Sequence, residues 1–147
     1  MNHEEIRFKI LDNLYRRFFE SGGTDYSYGE RIASESGLSD LDLKLINAEI
    51  RYLEGKGFVK IDAYADDGTP GLIAITSFGC DVVEKIVDRS MNELSTESSD
   101  IKIKEKIDEL KREQSPSERT TKIVDWAMQM PDAIFTLLNI AKTFLGN

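Results

Sequence analysis

At 147 residues, with 40% hydrophobic and 31% charged residues, the chain is long enough for one ordinary core and too short for two independent domains of typical size, and its composition excludes wholesale disorder. Nineteen basic against 27 acidic residues leave a formal charge of -8, a field that repels phosphate backbones and anionic membranes at long range. A single cysteine, Cys80, excludes an intramolecular disulfide and fits a reducing compartment, and a single histidine, His3, at a terminus expected to fray, leaves almost nothing for histidine-based catalysis or a metal site.

The start, Met1-Asn2-His3-Glu4-Glu5, lacks the basic residues and apolar run of a signal peptide, which points to the cytoplasm. From Glu4 to Ser21 the apolar residues Ile6, Ile10, Leu11, Leu14, Tyr15, Phe18 and Phe19 recur at spacings of three and four, predicting a first helix stopped by Gly22-Gly23. Ser27 with Glu30 three residues on reads as a capping box for a short second helix, with Ile32 and Ala33 inward and Gly37 as its stop. Tyr26 and Tyr28 read as core and rim residues around it.

Ser39 or Asp42 is expected to cap a third helix whose core face is Leu43, Ile46, Ile50 and Leu53. At about 100° per residue, Lys44, Asn47, Ala48 and Arg51 fall on a different face. Gly55 and Gly57 permit a tight exit into a strand from Phe58 to Tyr64, although Phe58, Ile61 and Tyr64 cannot all share one face. A second strand, Leu72 to Thr76, follows a glycine-containing loop, Asp66 to Gly71, that suits a hairpin with a tip longer than two residues.

A fourth helix is expected from Phe78 to about Leu94, with Val82, Val83, Ile86, Val87 and Met91 as its stripe. Residues 95 to 100 are polar and without periodicity, so they read as a linker between a domain at 1–94 and a helical region at 101–147. In that region Ile103, Ile107 and Leu110 form a thin seam in a charged helix, on which Asp108 and Arg112 are spaced for a weak pair. Pro116 favours another helix start, after which Ile123, Trp126, Ala127 and Met130 share one face. Beyond Pro131 the last helix collects Ile134, Leu137, Leu138, Ala141, Phe144 and Leu145 on one side. At roughly fourteen residues it is shorter than the ~20 that span a bilayer, and Lys122 and Lys142 are too few for the basic face of a membrane-surface helix. These apolar positions are expected to form a homodimer or to dock on a protein partner.

Two stretches, Tyr52-Leu53-Glu54-Gly55-Lys56-Gly57-Phe58-Val59 and Ile75-Thr76-Ser77-Phe78-Gly79, carry a family likeness: residues 4 to 92 resemble the winged helix-turn-helix superfamily of bacterial and archaeal regulators. The resemblance implies a mainly α fold with a small β-hairpin wing (α+β), a third helix that enters the DNA major groove and a wing that touches the flanking backbone. Carried onto this chain, it implies DNA contact by Lys44, Asn47 and Arg51, with Arg31 and Lys60 beside them, in a dimeric transcriptional regulator. The wing tip departs from the pattern, carrying Asp66 and Asp67 and no arginine. Through Asn92 there are 17 acidic and 11 basic residues, so the part expected to read DNA is the more acidic one, and the alternative is a protein-interaction module that keeps the fold without binding DNA. No constellation for catalysis or for a cofactor is present: a glycine-rich phosphate loop is absent, and Asp66-Asp67-Gly68 lacks the alternating ligands of a calcium loop.

Overall fold

Six helices and one two-stranded antiparallel sheet follow one another in a computed structural model that describes residues 2–130 together with Leu137 and Asn139. The helices are α1 (His3–Glu20), α2 (Gly29–Glu35), α3 (Leu43–Gly55), α4 (Ser77–Glu97), α5 (Ile101–Lys111) and α6 (Pro116–Ala127), and the strands β1 (Val59–Tyr64) and β2 (Pro70–Ile75) lie between α3 and α4. Two compact units divide the chain, Met1–Val83 and Glu84–Asn147, with the division inside α4. Helix α4 therefore runs to Glu97, through three of the six residues expected to be a linker. Among the described residues no helix is long and apolar enough to cross a membrane.

In the first unit the spacing of apolar residues decides which faces turn inward. Ile10, Leu11 and Tyr15 of α1, Ile32 of α2, and Ile46, Ile50 and Leu53 of α3 are fully buried, and Ile73 and Ile75 of β2 close the same core. The Asn2 side chain accepts from the Glu5 N–H to start α1, and the Asp42 carboxylate accepts from the Lys44 N–H at 2.9 Å to start α3, each satisfying a donor with no partner inside its helix. His3 is not frayed: it opens α1, and its Nδ1 lies 2.5 Å from Glu49 Oε1 of α3.

Ser27 does not cap α2. Its N–H donates to the Ile73 carbonyl at 2.8 Å and its carbonyl accepts from the Ile73 N–H at 2.9 Å, an isolated bridge on β2. Two backbone bonds outweigh one side-chain cap worth about 1 kcal/mol, so Ser27 stays extended and Tyr28 takes the cap position without a side-chain bond. The Ser27 hydroxyl is left buried with no hydrogen-bond partner.

The hairpin pairs Val59 with Ile75 and Ile61 with Ile73, then slips through two irregularities before Tyr64 meets Pro70. Strand β1 begins one residue later than expected, which resolves its imperfect alternation: Val59 and Ile61 turn inward, Lys60, Asp62 and Tyr64 outward, and Phe58 belongs to the preceding turn. Leu43, expected in the core, is 36% exposed because the first residue of α3 projects past the packed layer.

At the start of α4, the Thr76 hydroxyl accepts from the Gly79 N–H at 3.0 Å, and a Cβ on Gly79 would collide with the Phe58 carbonyl oxygen. Only glycine permits that approach. Within the second unit Ile107 and Leu110 of α5 and Ile123, Val124 and Ala127 of α6 are buried. Ser115 caps α6 by accepting from the Glu118 N–H, with Pro116 in the first turn as expected. The ion pair on α5 joins Lys106 and Glu109 at 3.4 Å.

Candidate nucleic-acid interface

On α3, Lys44, Ala48 and Arg51 are all exposed and fall within an arc of roughly 60° at 100° per residue, opposite the buried Ile46, Ile50 and Leu53. No acidic side chain lies in that arc. The one acid in the middle of the helix, Glu49, is turned into the protein and only 3% exposed. There Arg7 Nε meets its Oε2 at 2.5 Å, while the Arg7 guanidinium stacks 3.5 Å from the centre of the Tyr52 ring.

Among the described residues Lys44 has no ion-pair partner. Arg51 is held, but by neutral groups: it donates to the Gly68 carbonyl oxygen at the hairpin tip and lies 5.4 Å from the Tyr64 ring centre. Its charge is therefore not cancelled by contact with a carboxylate. Asn47 departs from the expected face. It is half-buried, with its side-chain oxygen so near Gly29 that a Cβ there would come within 2.5 Å, so it packs under the start of α2.

The other two expected DNA contacts lie elsewhere. Arg31 sits 4.0 Å from Asp25 and 3.9 Å from Glu35, beside Arg17, which bonds Asp25 at 2.6 Å and grips Glu35 with two nitrogens. The Arg17 guanidinium holds the Glu35 carboxyl below its ordinary range, and Glu35 raises Arg17 in return. Arg16 pairs with Asp12 at 3.1 Å. Arg16, Arg17 and Arg31 are thus committed to carboxylates, unlike Lys44 and Arg51. Lys60, on the outer face of β1, is 3.7 Å from Asp62 and 5.5 Å from the Tyr26 ring centre; the Tyr26 hydroxyl and then Asp62 raise its ammonium above the usual value.

At the hairpin tip Asp67 folds back on its own turn, accepting from the Thr69 N–H at 3.0 Å and the Thr69 hydroxyl at 2.7 Å. Those two bonds hold its carboxyl below the usual range, so it stays ionised. Between the tip, the start of α2 and the first turns of α3 lies a groove of about 260 Å³.

In the second unit, Ile123 is 1% exposed in the single chain, Leu137 is buried, and Trp126 and Met130 are half-buried. Ile134, Leu138, Ala141, Phe144 and Leu145 lie outside the described residues. The roles of Glu49, Ser27 and the Arg51–Gly68 contact were not anticipated. Only Glu49 carried a signal, lying three residues after Ile46 and four before Leu53, in line with the core face. Compared with known proteins, the chain matches no family model, no curated protein and no solved structure.

Proposed function

We propose that the first unit is a winged-helix module that binds double-stranded DNA through the outer face of α3, in a cytoplasmic transcriptional regulator acting as a dimer. The observation that carries this reading is the acid-free stripe of Lys44, Ala48 and Arg51 on the outer face of α3, whose two exposed cations have no carboxylate partner among the described residues. Small Ala48 between two long basic side chains lets the helix backbone approach a groove, with Arg51 suited to guanine and Lys44 to phosphate. A dimer doubles this small footprint and fixes the spacing of half-sites. Trp126 and Met130, half-buried in the single chain, remain available to a partner helix.

The test is fluorescence anisotropy on a pool of genomic duplexes at low salt. Wild type should bind with a steep salt dependence, and Lys44→Ala with Arg51→Ala should lower the salt slope by about 2 and weaken binding at least tenfold. Binding by neither protein sinks the DNA reading.

A second reading is a protein-interaction module. The commitment of Arg16, Arg17 and Arg31 to Asp12, Asp25 and Glu35 favours it, because it leaves the DNA stripe with only two cations. A pull-down recovering one defined protein and no nucleic acid would decide for it.

A further inference from the structure

The groove between the start of α2, the first turns of α3 and the hairpin tip is built for a charge that this chain does not supply. We propose that it is a docking slot for one basic side chain, arginine or lysine, presented by an extended segment of a partner protein. At about 260 Å³ the groove falls below the ~300 to 1,000 Å³ typical of small-molecule sites, but it has room for a single long side chain. Its lining residues differ in chemistry: acidic Glu30 and Asp67, aromatic Tyr28, polar Asn47 and apolar Leu43.

Each group suits a part of an arginine or lysine. Leu43, 36% exposed, offers apolar surface to a methylene stem, which prefers such surface while its head stays polar. Tyr28 is 49% exposed, so its ring face is open to a guanidinium or ammonium. Among the described residues neither Glu30 nor Asp67 is in an ion pair. Asp67 uses only Oδ1 on Thr69, and Oδ2 stays open to a charge-assisted bond.

Arg51, on α3's outer face, is directed to the Gly68 carbonyl at the hairpin tip. At Gly29 α2 comes close to α3, where a Cβ would meet the Asn47 side-chain oxygen at 2.5 Å. The overall charge of -8 adds long-range attraction for a basic segment. A neutral or acidic occupant would leave the two acidic residues of the lining without a compensating charge.

The slot does not depend on DNA binding, and its test contains no DNA. The full chain, labelled with ¹⁵N, is titrated at low salt with acetyl-Gly-Arg-Gly-amide and with the same peptide carrying citrulline, the uncharged isostere of arginine. The arginine peptide should give saturable amide shifts confined to Gly29, Asn47, Thr69 and Gly71, with the citrulline peptide about tenfold weaker, as expected for loss of one charge-assisted contact. Glu30→Gln with Asp67→Asn, which keeps an oxygen to accept from Thr69, should weaken the arginine peptide by a similar factor without moving the rest of the spectrum. Glu93→Gln with Glu97→Gln, removing the same charge elsewhere, should leave the affinity unchanged. Equal response to the two peptides, an undiminished response in the Glu30/Asp67 variant, or unsaturable shifts scattered over the acidic surface would each overturn the slot.

Discussion

Arg51 donates to the carbonyl oxygen of Gly68, tying the exposed side of α3 to the tip of the hairpin. Tyr64 reinforces the tie from below: its ring lies 5.4 Å from the guanidinium, and its hydroxyl is 3.4 Å from both Glu54 oxygens. The residue best placed to read a base is thus also the residue that positions the hairpin, so the two parts of the proposed DNA surface are mechanically linked.

Arg51→Ala should therefore loosen the hairpin tip as well as weaken DNA binding. The contact is exposed, so the global loss of stability should stay below about 1 kcal/mol. Locally the effect should be larger: the Ala65 and Gly68 amides, which close the turn onto Thr69 and Ala65, should exchange with deuterium several times faster. Unchanged exchange at both would show that the guanidinium does not hold the tip.

Glu49 presents the opposite case, a carboxylate that matters because it is hidden. Its side chain is 4% exposed and shared by Arg7, 15% exposed, and His3, 63% exposed. Glu49→Ala strands the Arg7 charge against Tyr52 in a partly buried site, and should cost about 3 kcal/mol in urea unfolding. Arg7→Leu together with Glu49→Leu should cost less than the sum of the single changes by more than about 1 kcal/mol, since removing both charges removes the stranded one. Simple additivity in that double-mutant cycle would mean the pair is energetically idle.

The salt-bridge knot around Arg17 gives a pH dependence whose sign follows from Glu35. Arg17, with help from Asn13, holds the Glu35 carboxyl below its ordinary value near 4.5, so the folded state releases this proton more readily than the unfolded state. Its stabilising contribution is therefore present above about pH 4.5 and is lost as pH falls through the depressed folded value. Glu35 is 40% exposed, which limits the contribution to below about 1 kcal/mol after solvent screening. Glu35→Gln should be slightly less stable than wild type at pH 7, and the gap between the two unfolding curves should narrow steadily as pH falls below about 4.5. A gap that stays constant as pH is lowered would assign the effect to packing and not to charge.

Much of the fold was legible because it rests on periodicity. The stripes Ile10-Leu11-Leu14-Tyr15 and Ile46-Ile50-Leu53 announced two helices and their inner faces, and Asp42 announced a cap. What escaped depends on partners distant in the chain. Ser27 has every local mark of a helix cap, and only the presence of Ile73 beside it, 46 residues later, turns it into a strand residue. Arg17, Arg31 and Arg51 look alike in one dimension, yet Arg17 is drawn to a carboxylate across helices, Arg31 to the Asp25 and Glu35 carboxylates that Arg17 also holds, and Arg51 to a backbone carbonyl. Side-chain commitments of that kind are set by tertiary placement, so the site was legible as a face of α3 and illegible as a set of free charges.

Ile123 and Trp126 divide the proposed contact face of α6 between two roles, and the division can be measured. Ile123 is 1% exposed in the single chain, whereas Trp126 is half-buried and is the only tryptophan, so its fluorescence reports on the second unit. Ile123→Ala should remove about 3 kcal/mol through lost burial and the cavity left behind, lowering the urea midpoint of the Trp126 signal while leaving the native molar mass by light scattering unchanged. Met130→Ser, at a half-buried site, should do the reverse if this face pairs two chains: little change in the midpoint extrapolated to low concentration, and a mass that falls toward that of one chain on dilution. A fall in mass caused by Ile123→Ala without any shift of the fluorescence midpoint would instead make Ile123 an interface residue, contrary to its burial within its own chain.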